Sequence, residues 1–145
     1  MDFQHKNFFF VILIVSFCTF QTTQLVSGQL GYIFHIHVAN QLPVGSNPLL
    51  VHCQSKDNDI GYHTLNVNDE FQWHFTQSLR TLFFCHFWWD NKQAIFDVFN
   101  SSFGIGSCHN EFPGQGPQTC YWEARADGFY MASGNKFIKM NIWQI

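Results

Sequence analysis

Charge is scarce in this chain of 145 residues: charged side chains make up 12%, with 7 Lys and Arg against 10 Asp and Glu and a formal net charge of −3. No basic excess is available to form a nucleic-acid footprint or to bind an anionic membrane surface. Beyond the first twenty residues no apolar run approaches the ~20 needed to span a bilayer, and the C-terminus lacks a lipid-anchor tail. A Gly-x-Ser-x-Gly elbow is missing, as is any Cys-x-x-Cys pair, so elbow-type serine hydrolysis and a thiolate zinc ribbon have no sequence basis. Gly104-Ile105-Gly106 falls in a loop ahead of Cys108, not between a strand and a helix, and is no phosphate cradle. No stretch holds helical periodicity over three turns, which leaves an all-β fold.

What is present is aromatic: 19% of the chain is Phe, Trp or Tyr. The N-terminus reads as a secretory signal, with Lys6 in a short polar lead, an apolar run from Phe8 to Phe20, and small residues at Val26-Ser27-Gly28. Residues 1–28 are thus expected to be removed by cleavage between Gly28 and Gln29, giving one secreted, extracellular domain over 29–145 with no membrane insertion afterwards. Asp2 and Lys6 leave together, so the net charge is unchanged. Of the five cysteines Cys18 leaves with the signal, and Cys53, Cys85, Cys108 and Cys120 remain. An even set in a small exported domain implies two disulfides, with three connectivities open.

Alternation with period two marks strands over residues 32–39, 49–55, 63–67, 71–75, 82–89, 94–99, 120–126, 129–133 and 136–143. Short strands separated by Gly, Pro, Asn and Asp indicate a small antiparallel β-sandwich, with a closed barrel as the other solution. Residues 56–61, 76–81 and 101–119 are polar connections.

Several constellations invite chemistry. His35 and His37 share one strand face and could chelate a cation, but no further ligands are evident. Asp57-Asn58-Asp59 before Gly61 resembles the start of a calcium loop, yet lacks the closing acid and flanking helices; its side chains suit a turn. Histidine–carboxylate pairs could serve a hydrolase or nuclease, and exposed coplanar aromatics could serve a carbohydrate-binding module. No metal and no cofactor is assigned. Asn100-Ser101-Ser102 is a glycosylation sequon at the mouth of the longest loop.

Order and context are more specific than any single motif. His52-Cys53-Gln54-Ser55-Lys56-Asp57-Asn58-Asp59-Ile60-Gly61 resembles the signature of the plant self-incompatibility protein S1 family, in which a strand-borne cysteine precedes Ser-Lys, an acidic run, a hydrophobic residue and glycine. Phe71-Gln72-Trp73-His74-Phe75, Phe84-Cys85-His86-Phe87-Trp88-Trp89, Phe96-Asp97-Val98-Phe99 and Cys120-Tyr121-Trp122, with its following Asp127-Gly128 turn, resemble that family's later segments in order. The stretch between Cys108 and Cys120 is longer and richer in glycine and proline than the family pattern.

The resemblance implies a secreted, two-disulfide β-sandwich without catalytic residues, acting as a non-enzymatic extracellular signal in reproduction, development or defence. A cell-surface receptor or other extracellular protein is the implied partner. With two disulfides implied, the order of parts favours Cys53–Cys120 with Cys85–Cys108. The residues expected to meet a partner are Lys56, Asp57, Asn58, Asp59, Arg80, His109 and Glu111, all on the three polar connections. Partner identity, tissue and oligomeric state have no sequence signature.

Overall fold

The computed structural model describes residues 31–101, 108 and 118–145. Among these residues nine strands follow the alternation in the sequence: β1 (Ile33–Asn40), β2 (Leu49–Gln54), β3 (Asp59–Leu65), β4 (Glu70–Thr76), β5 (Leu82–Trp89), β6 (Lys92–Asn100), β7 (Gln118–Arg125), β8 (Gly128–Ser133) and β9 (Lys136–Asn141). They form a five-stranded sheet in the order β4-β1-β7-β8-β9 and a four-stranded sheet in the order β3-β2-β5-β6. All ladders are antiparallel except β1 with β7, which run parallel. A parallel pair needs a long crossover. Here the chain from β2 to β6 supplies it, building the second sheet on the way.

The faces that meet are the apolar sets of the alternating pattern. Phe34, Ile36 and Val38 of β1 are buried, as are Val51 and Cys53 of β2, Phe83, Cys85 and Phe87 of β5, and Trp122 of β7. Rings interlock across the sheets: Phe34 lies 4.6 Å from Phe99, Phe87 4.7 Å from Phe129, and Phe96 5.3 Å from Trp122, centroid to centroid. Offset and tilted pairs at these spacings add roughly 0.5–1.5 kcal/mol each beyond the area they bury.

Two local departures from strict alternation matter. In β6 the register slips opposite Phe83 and Phe84, so that Val98 and Phe99 are both fully buried. An extra residue of this kind kinks a strand and frees a ladder group; the Val98 carbonyl accepts a 3.0 Å hydrogen bond from the buried Trp122 indole. A second slip, between Cys53 and Gln54, lets pairing continue through Gly61 at φ +90°. As a result β3 begins at Asp59, four residues before the strand the sequence suggests, and Asp59, Ile60 and Gly61 belong to a strand and not to a loop.

Past β9, Gln144 pairs with Gln93 of β6 through two 2.8 Å backbone bonds, while the Trp143 indole donates to the Arg125 carbonyl at 2.8 Å.

The disulfide pairing differs from the expected one. Cys53 is bonded to Cys85, and Cys108 to Cys120. The reason is register: Cys53 and Cys85 stand directly opposite each other on β2 and β5, with Cα atoms 4.1 Å apart. Cys120 lies in the other sheet. Mid-strand position is shared by Cys53 and Cys120, but adjacency in the ladder decides the bond. The expected cleavage point, Gly28 and Gln29, lies outside the described residues.

Candidate functional site

Two of the three polar connections come together at one end of the sandwich. Between β2 and β3 the chain reverses over Ser55–Asn58. Ser55 N–H donates to the Asn58 carbonyl at 2.7 Å, and Asn58 N–H donates to Ser55 Oγ at 3.0 Å. This clasp holds Lys56 and Asp57 exposed at the tip. Between β4 and β5, Ser78 N–H donates to Thr81 Oγ1 at 2.8 Å, and Thr81 N–H donates to the Ser78 carbonyl at 3.3 Å. Ser101, just past β6, donates its hydroxyl to the Ser78 and Thr81 carbonyls at 3.1 and 3.0 Å. Leu79 and Arg80 are thereby lifted into solvent on a tied turn.

A cavity of about 600 Å³ lies between these turns, within the size range of natural ligand sites. Its floor is apolar, formed by Phe75, Leu82, Phe83 and Phe84, and its rim carries Lys56, Asp57 and Arg80. Of the residues expected to face a partner, Lys56, Asp57, Asn58 and Arg80 line this one cavity. Asp59 does not; it turns onto the outer face of the four-stranded sheet. His109 and Glu111 lie outside the described residues. Sequence reasoning missed the aromatic floor, because Phe75, Phe83 and Phe84 read as strand residues without distinction from the rest of the core.

The other constellations lie on the open sheet faces. On the five-stranded sheet His35 stacks beside His74, centroids 5.5 Å apart, and His37 stands 5.6 Å from the Tyr121 ring. Partial burial first, and then the neighbouring His74 and His37, hold the His35 pKa below its ordinary value. Tyr121 donates to Glu70 at 3.1 Å, and burial together with that carboxylate pushes its phenol up to about 12. Among the described residues no group of three or more His, Cys, Asp or Glu is arranged to hold a metal ion.

On the four-stranded sheet Asp59 accepts from Gly61 N–H at 2.8 Å and sits 2.8 Å from His52 Nε2; the His52 hydrogen bond leads in holding its carboxyl below the usual range. The calcium-like run is therefore a turn leading into β3, and its second acid, Asp59, is spent on a backbone amide and a histidine. The Tyr62 ring stacks on His52 at 4.1 Å, and Trp88 on His86 at 3.7 Å. Trp122 is buried, while Trp73, Trp89 and Trp143 are half-buried against the core, leaving Trp88 as the tryptophan of this outer face. The histidine–acid pairs lie on these faces, and among the described residues no histidine lines the cavity.

The family model for plant self-incompatibility protein S1 matches residues 35–143, the span from β1 to Trp143. This chain belongs to the plant self-incompatibility protein S1 family. S-protein homolog 20 of Arabidopsis thaliana is 33% identical over 125 residues, 83% of each chain. S-protein homolog 5 of the same plant is 34% identical over 87 residues, which are 59% of this chain and 61% of that one. The chain thus spans about three fifths of homolog 5 and most of homolog 20. The solved structure of an SPH (self-incompatibility protein homologue) protein, from a widespread family of small, highly stable, secreted proteins from plants, superposes with a TM-score of 0.59. That match covers 81% of this chain and all of the other at 18% identity, and it bears on the fold.

In this S1-family chain the family-like segments fall on defined parts of the sandwich. The His52 to Gly61 signature runs from β2 through the Ser55–Asn58 clasp into β3, so it builds one wall of the cavity as well as one half of a disulfide. The aromatic segment around Trp73 is β4, whose Phe75 and Thr76 form part of the cavity lining. Among the described residues there is no helix long and apolar enough to cross a membrane.

Proposed function

We propose that this S1-family protein is a secreted, non-enzymatic extracellular ligand, recognised by a cell-surface protein through the loop end of its sandwich. The observation that carries the reading is the convergence of two hydrogen-bonded turns on one cavity, with Lys56, Asp57 and Arg80 at its rim. Recognition residues on tied loops over a rigid scaffold suit binding with little ordering cost. Secretion is supported by the signal pattern of residues 1–28, with cleavage after Gly28, and by the disulfide-bonded cysteines. Asn100 is proposed to carry a glycan at the same end, where β6 gives way to Ser101. Reproduction, development and defence are the processes in which such a ligand would act.

The test is proximity labelling on intact plant cells with refolded, disulfide-bonded protein. A specific membrane protein should be labelled, and labelling that spreads evenly over the surface would refute the reading. A second reading, a carbohydrate-binding module, draws on Tyr62, which is 66% exposed and stacked over His52 near Trp88. It predicts that recovered material is polysaccharide, and that Tyr62→Ala abolishes the recovery while Arg80→Ala does not.

A further inference from the structure

The cations of the described domain divide into two sets. Arg125 is held by Glu123 and lies over the Tyr130 ring, Lys139 is bonded to Asp127, and Lys92 lies over Trp89. Lys56, Arg80 and Lys136 have no side-chain hydrogen bond, ion pair or ring contact among the described residues, and two of the three, Lys56 and Arg80, stand on the rim of the same cavity, on different loops. Among the described residues, with Asp57 counted, that rim carries an excess of one positive charge in a molecule whose net charge is −3. Immediately below lies an apolar floor: Leu82 is 40% exposed, and Phe75 and Phe83 are packed with ring centroids 4.7 Å apart. Two unpaired cations over an apolar trough are complementary to one kind of chain, a segment that alternates carboxylates with apolar side chains.

From this we infer that the cavity is the seat of a peptide segment of the partner that combines carboxylates with apolar side chains. Lys56 and Arg80 reach its carboxylates from opposite loops, and an apolar side chain rests on Phe75, Leu82 and Phe84. Asp57 sets polarity: it repels a third carboxylate and can accept a backbone N–H of the bound segment. The inference rests on the reading of this protein as a ligand for an extracellular protein, and it names the chemistry of the contact.

The probe is the blocked tetrapeptide acetyl-Asp-Phe-Asp-Leu-amide, compared with its Asn-Phe-Asn-Leu and Lys-Phe-Lys-Leu counterparts and with acetyl-aspartate alone. Each is titrated into the ¹⁵N-labelled, disulfide-bonded protein and followed by amide chemical shifts. The acidic peptide should shift amides of residues 55–58 and 76–84, more weakly as salt rises, since rim charges are screened. The doubly reversed variant K56E/R80E changes exposed turn residues, and its own amide spectrum verifies that it is folded. It should bind the acidic peptide at least about tenfold more weakly, a difference of about 1.4 kcal/mol, and should gain binding of the lysine peptide.

Equal binding of the asparagine peptide, shifts confined to the outer sheet faces, or unaltered affinity in K56E/R80E would each overturn the inference. So would acetyl-aspartate binding as tightly as the peptide, which would make the cavity a small-acid site. Cell-surface labelling separates the two levels. If wild type and K56E/R80E label the same membrane protein equally, the ligand reading stands and the cavity inference falls. If wild type labels no membrane protein while the peptide shifts appear as expected, the ligand reading falls and the acidic selectivity of the cavity remains.

Discussion

His35 shows how a residue can carry a condition for stability without carrying chemistry. It stands on the outer face of β1 with His74 opposite it, His37 two residues on and Glu70 and Tyr121 on the same face. Its partly buried ring and the neighbouring histidines disfavour the charged form, so the folded pKa lies below the unfolded value of about 6.5. A group with a depressed folded pKa binds protons more readily when the chain unfolds. The stability it contributes is complete above that unfolded value and declines as pH falls through the folded one. Thermal unfolding followed by circular dichroism should therefore show a midpoint that drops between pH 7 and pH 5, and His35→Gln should shrink that drop. An unchanged pH slope in the variant would place the effect elsewhere. The shared face of His35 and His37 was legible from their spacing of two. The partner His74 was not, because the register between β1 and β4 is a long-range property.

At the scale of elements, the ends of strands are where the sequence spoke least clearly and the structure depends on single groups. Asn40 closes β1 and is fully buried. Its side chain donates to the Leu65 carbonyl at the end of β3, 2.9 Å away, and accepts from Leu42 N–H at 3.0 Å. Its backbone bonds to Asp69 and Asn68 in the turn before β4. One amide thus ties strands of both sheets. In the sequence it opens a stretch with two prolines and a glycine and reads as an ordinary turn residue. Asn40→Ala would strand a buried carbonyl and a buried N–H, so a loss of about 2–4 kcal/mol is expected from the two unmet partners. Urea unfolding should report it as a lower midpoint at constant slope; a loss below about 1 kcal/mol would show that water replaces the amide. The strands themselves were legible because β-branched and aromatic residues alternate with polar ones, and the slips at Val98 and Gly61 were not. A bulge is one residue of excess, visible only against the partner strand.

For the whole molecule, two covalent links divide the labour. Cys53–Cys85 locks neighbours inside the four-stranded sheet with a sequence separation of 32, and Cys108–Cys120 closes a separation of 12 onto β7. Loop-closure entropy assigns them about 4 and about 3 kcal/mol. The double variant C53A/C85A should accordingly lose more stability than C108A/C120A, as measured by thermal unfolding of the oxidised proteins. The reverse order would mean that the packing around Cys120 outweighs chain entropy. That the cysteines are bridged followed from an even count in an exported domain; which bridges form depended on β2 and β5 being neighbours, which no local pattern encodes. The two connections that meet at the cavity were legible as polar stretches, whereas its aromatic floor was hidden among core-like residues.

The position of β1 between β4 and β7 has a consequence for how the chain is assembled. Synthesis delivers β1 before any other strand of the domain, but the residues that flank it in the sheet arrive later, and those of β7 follow only after β6 has been made. At roughly 5–20 residues per second the delay is on the order of ten seconds. Throughout that time β1 lacks its parallel neighbour, although Phe75 and Phe99, against which Phe34 packs, are made before that neighbour. Cys120 stands opposite Ile36 in the parallel ladder. Cys120 belongs to the last strand that β1 acquires as a neighbour, so the Cys108–Cys120 bond can form only after the residues that complete the pairing of β1 have been made.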